Sequence, residues 1–227
     1  MDPAVENVGD VIRIVDLAGV LGNAILGGIA ARSARLDLVG FAILAIMSGL
    51  GGGIIRDTLL QNGVPVALVD PYYLILAIVG AGIAFVLPLQ GTWTQRPLVV
   101  VDALAVGCWS AVGVQKALDA GLGWLPAIIL GMITAVGGGM VRDVLLMRVP
   151  SIFGGNTLYA TSSLAACIVT VILSELGQPE IGALLAIVTG AALSLLARRF
   201  GWVLPTEMRI PRPRWPSGKR QRRPSGR

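Results

Sequence analysis

Apolar residues run along this chain in seven blocks, each near the ~20 residues needed to cross a bilayer core. The blocks fall at about 11–31, 36–60, 72–89, 97–118, 122–147, 157–176 and 180–198, separated by short stretches that hold charges, glycines or prolines. This pattern predicts an all-α integral membrane protein with seven transmembrane helices. The blocks also repeat. Gly51-Gly52-Gly53-Ile54-Ile55-Arg56-Asp57 returns as Gly137-Gly138-Gly139-Met140-Val141-Arg142-Asp143, a shift of 86 residues (142 − 56). The same shift carries Asp16 onto Asp102, Gly27 onto Gly113, Leu36 onto Leu122 and Leu59-Leu60 onto Leu145-Leu146, with no gap. Internal duplication in so apolar a chain is the mark of a transporter or channel built from repeats.

Each copy holds three blocks, an odd number, so the second copy must enter the membrane from the opposite face. The predicted architecture is two inverted three-helix repeats, 11–89 and 97–176, plus one added helix at 180–198. Residues 1–10 form an outer N-terminal segment, and 205–227 a basic, Pro-rich, disordered cytoplasmic tail.

Composition agrees with the pattern: 55% of residues are hydrophobic, 14% charged, and the mean hydropathy is +0.78. The net charge of +5 is misleading as a global value, because ten of the eighteen Lys and Arg residues lie at or after Arg198. A basic run directly after a membrane helix is expected to meet anionic lipid, not nucleic acid. With the N-terminus outside, Arg32, Arg35, Arg96, Arg148 and the ten basic residues from Arg198 all fall inside, and only Arg13 and Lys116 fall outside. The positive-inside rule therefore selects an outer N-terminus and a cytoplasmic C-terminus. The acidic start of the chain does not read as a removable signal peptide.

Candidate chemistry sits at the two triglycines. Three consecutive glycines weaken a helix by up to ~1 kcal/mol each relative to alanine, so a bend or unwound turn is expected at Gly51, Gly52 and Gly53 and again at Gly137, Gly138 and Gly139. Freed carbonyls there would suit a cation, and the following half-helix N-terminus an anion. Close helix packing is the plainer role for such glycines. Arg56 and Arg142 are costly if they face lipid. Consecutive helical residues point in different directions, so Asp57 and Asp143 need not pair with them. The inward carboxylates Asp16 and Asp102 are the expected partners, giving a balanced polar axis. Ser48 and Thr134, each three residues before a triglycine, offer hydroxyls to an ion or to a neighbouring helix. Asn23 has no polar counterpart, since the shift lands on Trp109. Lys116 is placed to tune an entrance or to reach the headgroups.

The absence of histidine and of any nucleophile–base or paired-carboxylate arrangement argues against an enzyme. Cys108 and Cys167 read as small core residues, and nothing calls for a metal or cofactor.

At the doubled GGGxxRD string, with Gly113-Val114-Gln115-Lys116-Ala117-Leu118 after Asp102 and Leu158-Tyr159-Ala160 opening the sixth block, the chain resembles the prokaryotic TRIC (trimeric intracellular cation) channel family. That family is also labelled UPF0126 or glycine-transporter domain. The resemblance covers about residues 10 to 200. It implies seven helices, a homotrimer, and a pore inside each protomer, kinked at the glycines of its second and fifth helices. It further implies permeation by monovalent cations, chiefly potassium and possibly sodium. The roles it carries over are confined to the two triglycines, Arg56, Asp57, Arg142 and Asp143. The basic tail and Asn23 match no part of the family pattern. The alternative is a secondary transporter of a small solute such as glycine. No acidic ring or TVGYG-like filter is present, so high selectivity is not expected.

Overall fold

The computed structural model describes residues 3–87, 89, 91–153 and 158–203. The tail expected over 205–227 lies outside the described residues. The helices are α1 (Pro3–Ser33), α2 (Leu38–Leu60), a short α3 (Val66–Val69), α4 (Pro71–Val86), α5 (Thr92–Asp119), α6 (Trp124–Leu145), α7 (Tyr159–Glu175) and α8 (Pro179–Phe200), with a 3₁₀ turn at Ser151–Phe153. Among the described residues five segments are long and apolar enough to cross a membrane: Val8–Ser33, Leu38–Leu60, Arg96–Asp119, Trp124–Leu145 and Pro179–Phe200. The helices α4 and α7 are apolar but shorter. The chain is a multi-pass, all-helical membrane protein.

Local sequence sets the boundaries. The Asp37 carboxylate accepts the Gly40 N–H and caps α2, while the Asp70 carboxylate accepts the Tyr72 N–H and caps α4. Pro71 and Pro179 occupy first turns, where a missing N–H costs nothing. Gly201 closes α8 in the left-handed region at φ 65°. The α4 helix spans 16 residues, about 24 Å at ~1.5 Å per residue. The preceding connection holds α3, which packs on α2 and α4.

The expected unwinding at the triglycines does not occur: α2 is helical without interruption from Leu38 to Leu60, and α6 from Trp124 to Leu145. The glycines serve the packing role instead. A Cβ on Gly52 would overlap the Thr134 carbonyl oxygen of α6, and one on Gly138 would overlap the Ser48 carbonyl oxygen of α2. Close approach of two backbones supplies the van der Waals contact that holds membrane helices together, and this contact offsets the glycines' low helix propensity.

Around this α2–α6 crossing, α1 packs on α2 and α4, and α5 packs in the corresponding way on α6 and α7. The buried positions are mainly small. In α8 they are Gly182, Ala183, Ala186, Gly190, Ala191, Ser194 and Ala197, with Ile187 the one large residue among them, a stripe at roughly helical spacing. That stripe lies on α5 and α7, where a Cβ on Gly190 would stand 2.7 Å from the Gly107 Cα.

Candidate functional site

The polar residues of the bundle gather into two clusters with matching membership. In the first, the Asp16 carboxylate of α1 accepts the Tyr73 hydroxyl of α4 on one oxygen and the Trp109 indole N–H of α5 at 2.8 Å on the other. In the second, the Asp102 carboxylate of α5 accepts the Tyr159 hydroxyl of α7 at 3.0 Å and the Asn23 amide of α1 at 3.4 Å on one oxygen. Arg198 of α8 donates to the other oxygen at 2.9 Å. Tyr73 and Tyr159 stand 86 residues apart, as do Asn23 and Trp109. Each first-helix carboxylate is thus held by the tyrosine of its own repeat and by an N–H donor from the first helix of the other repeat. Asn23 does have a polar counterpart, the Trp109 indole N–H.

The arginines do not pair with these carboxylates. Arg56 Nε donates to Asp57 Oδ1 at 2.7 Å, and Arg142 Nε donates to Asp143 Oδ1 at 3.1 Å. Neighbouring helical positions diverge at Cβ, but an arginine side chain is long enough to swing round to the next carboxylate. Asp16 and Asp102 are already occupied by other donors. Each aspartate turns its second oxygen to the connection that follows: Asp57 Oδ2 accepts the Val66 N–H at 3.0 Å, and Asp143 Oδ2 accepts the Ser151 N–H at 3.0 Å. The Arg-Asp pairs therefore fasten the two returning segments, α3 and the 3₁₀ turn, over the ends of α2 and α6. Lys116 is drawn in as well, its ammonium 3.2 Å from Asp57 Oδ1. Arg56 and Asp57 are 6% and 8% exposed, a burial that only mutual pairing makes tolerable.

Each cluster lines a cavity. The first, about 30 Å³, is bordered by Asp16, Arg56, Asp57, Tyr73, Trp109 and the glycines Gly52 and Gly53, with Val66 and Ala67 of the α3 region closing it. The second, about 290 Å³, is bordered by Asp102, Arg142, Asp143, Tyr159, Asn23, Gly139 and Arg198, with Ser151 and Ile152 in the covering position. Both touch the glycine strings, at Gly52 and Gly53 in the first and at Gly139 in the second. The smaller cavity is large enough for only one or two waters, while the larger can hold a hydrated ion or a small solute.

Other expected site residues are placed differently. Thr134 borders the first cavity, but its hydroxyl donates to the Leu130 carbonyl at 2.6 Å in its own helix. Ser48 is fully buried, lines neither cavity and has no hydrogen-bond partner among the described residues. It packs against Gly27 as Thr134 packs against Gly113, the repeat-equivalent glycine. Gly51 and Gly137 lie in the crossing, and a Cβ on Gly137 would come within 2.9 Å of the Gly52 Cα. Cys108 and Cys167 are buried and unbridged.

Tyr73, Trp109 and Arg198 were not singled out by sequence. The 86-residue shift that links Asp16 to Asp102 also links the two tyrosines, so applying it to every polar residue finds them. No such signal exists for Arg198, which lies on the unrepeated helix.

A family model described as "Glycine transporter" matches residues 13–88 and 99–175. The UPF0126 inner membrane protein YadS of Escherichia coli is 33% identical over 195 residues, covering 85% of this chain and 94% of its own length. A solved TRIC cation channel superposes with a TM-score of 0.79 at 32% identity, covering 86% of this chain and 97% of that one. The TRIC trimeric intracellular cation channel orthologue of Rhodobacter sphaeroides does so at 0.72 and 29% identity, with 84% and 96% covered.

Proposed function

This chain belongs to the TRIC/UPF0126 family of membrane proteins, and from that premise we propose that it is a cation channel with one conduction path inside each protomer. The carrying observation is that two cavities are lined by repeat-equivalent residues and that each borders one of the triglycines of the α2–α6 crossing. A path along them has carboxylates and tyrosine hydroxyls at both ends and backbone packed on backbone at its waist. Opening then requires only that α2 and α6 separate slightly where no side chains interlock.

In this reading the seven longer helices form two inverted three-helix repeats plus α8, and three copies assemble into a homotrimer. The N-terminus lies outside the plasma membrane and the C-terminus in the cytoplasm. Potassium is the main permeant ion, since nothing in the lining provides a ring of strong ligands that would hold a divalent cation. The path residues are the two triglycines with Arg56, Asp57, Arg142, Asp143, Asp16 and Asp102. Thr134 stands at the waist and Ser48 behind it.

One observation favours a second reading, a secondary transporter of a small zwitterion such as glycine. Two equivalent cavities of unequal volume, on opposite sides of a closed waist, suit alternating access as well as gating. Purified protein in liposomes, assayed side by side for potassium flux and labelled-glycine uptake, separates the two. Potassium conductance without saturable glycine uptake is expected. Concentrative glycine uptake without potassium conductance overturns the channel reading.

A further inference from the structure

Charge balances within each cluster. The first sets Arg56 and Lys116 against Asp16 and Asp57, and the second sets Arg142 and Arg198 against Asp102 and Asp143. One further carboxylate stands outside this balance. Asp119, the last residue of α5, is exposed and has no hydrogen bond or ion pair among the described residues. Its repeat-equivalent is the neutral Ser33 (119 − 86 = 33). Asp119 borders a hollow of about 200 Å³, lined also by Asp57, Asn62, Val64, Val66 and Lys116. Asp57 and Val66 line the first cavity as well, so they form the partition between hollow and cavity. The hydrogen bond from the Val66 N–H to Asp57 Oδ2, 3.0 Å long, joins the two halves of that partition.

We infer that this hollow is the mouth of the path at the α2–α3 end, and that Asp119 is the residue that gathers cations into it. The inference rests on the channel reading of the cavities. The first cavity has room for only one or two waters, so a hydrated cation cannot wait there, whereas the hollow holds several waters. An ion from this end therefore collects in the hollow and sheds water as it crosses the partition. Of the three charged residues lining the hollow, Asp57 and Lys116 cancel as an ion pair 3.2 Å apart, and Asp119 remains. Arg56 lies on the far side of the partition, in the cavity that also holds Asp16. One unit charge about 7 Å from an ion in a water-like medium changes local cation concentration about threefold. The attraction acts through water on ions that have yet to enter, so it fades in 1 M salt, where the Debye length is about 3 Å. It also acts only on ions arriving at this end, and so favours one direction of current.

The test is single-channel potassium current in patches from giant spheroplasts, where insertion fixes the orientation of every copy. In symmetrical dilute KCl, Asp119→Asn should lower the current in one direction about threefold, and Asp119→Lys, which reverses the charge, about ninefold. Asp119→Glu should keep the wild-type current, and in 1 M KCl all of these proteins should conduct alike. Glu180→Gln is the control: it removes a carboxylate near Asp119 that borders a different hollow, and it should change nothing. A second measurement separates charge from folding. The native Cys108 and Cys167 are buried, so Asp119→Cys adds one accessible thiol for methanethiosulfonate reagents. A sulfonate-bearing reagent should restore the dilute-salt current of the inserted protein, and a trimethylammonium-bearing one should lower it further. Dilute-salt currents unmoved by Asp119→Asn and by both reagents overturn the inference while the channel reading stands. So does a loss that persists in 1 M KCl, or an equal loss with Glu180→Gln. A wild-type protein that carries no potassium current removes the channel reading, and this inference with it.

Discussion

Gly52 and Gly138, equivalent residues of α2 and α6, each rest on the backbone of the other's helix, at the Thr134 and Ser48 carbonyl oxygens respectively. Gly53 and Gly139 are different. A Cβ on either would meet only an arginine Nη2, at 3.8 Å. The triglycines therefore divide into crossing and non-crossing positions. Gly52→Ala and Gly138→Ala should each force the helices apart and destabilise the protein by about 1–3 kcal/mol. Gly53→Ala and Gly139→Ala should be neutral or stabilising by up to ~1 kcal/mol through helix propensity. Thermal denaturation of the purified protein followed by size-exclusion chromatography checks this, and equal losses at all four positions would refute the division.

The all-helical, membrane-spanning character was readable in advance from the apolar blocks. Among the described residues each block coincides with a helix, within about five residues at the edges except at α1, which starts at Pro3 instead of near residue 11; five of them are long and apolar enough to cross a membrane. The functions of the glycines and arginines were not readable, for a physical reason. Three adjacent glycines signal either a break or a close crossing, and only the facing backbone decides which. Here the facing segment is the other triglycine. Likewise, an arginine's partner depends on which carboxylates remain available. Tyr73, Trp109, Asn23 and Arg198 had claimed Asp16 and Asp102 through contacts spanning 57 to 96 residues, a separation no local pattern encodes.

The clamp between Asp143 and the Ser151 N–H predicts a local change in dynamics. Asp143→Ala removes a charge-assisted hydrogen bond worth roughly 1.5–3 kcal/mol, so amide exchange at the 3₁₀ turn Ser151–Phe153 should accelerate by at least about tenfold. Asp57→Ala should do the same to α3 through Val66. Hydrogen–deuterium exchange by mass spectrometry reads both. Protection unchanged in the covering segments would show that they are held by packing alone.

The tyrosines differ in how much their carboxylates depend on them. Among the described residues Asp16 has only Trp109 left after Tyr73→Phe, whereas Asp102 retains Asn23 and Arg198 after Tyr159→Phe. Hydrogen bonds to a charged group contribute about 1.5–3 kcal/mol. Tyr73→Phe should lie within that range and Tyr159→Phe below it. Parallel melting curves of the two variants give the comparison, and a larger loss at Tyr159 would contradict the assignment.

Arg142 joins a structural bond to a cavity-lining position, and a double substitution separates the two. Its Nε is bonded to Asp143, while its side chain, 20% exposed, borders the larger cavity. Arg142→Gln strands the Asp143 charge and should cost stability in the range of a broken buried pair, about 3–5 kcal/mol, moderated by the partial exposure. If the Asp143 pairing is the structural one, Arg142→Gln with Asp143→Asn should recover most of the yield and melting temperature, whereas Arg142→Gln with Asp102→Asn should not. The recovered double variant lacks both charges of the pair, so the net charge of the cavity lining is unchanged. Its conductance should then remain altered only if the guanidinium itself meets the passing ion. Potassium currents from the double variant matching those of the wild type would confine Arg142 to fastening the 3₁₀ turn over the end of α6 and remove it from the conduction path. A conductance change in a protein of restored stability would keep it there, and Arg56 with Asp57 should then behave alike at the opposite end.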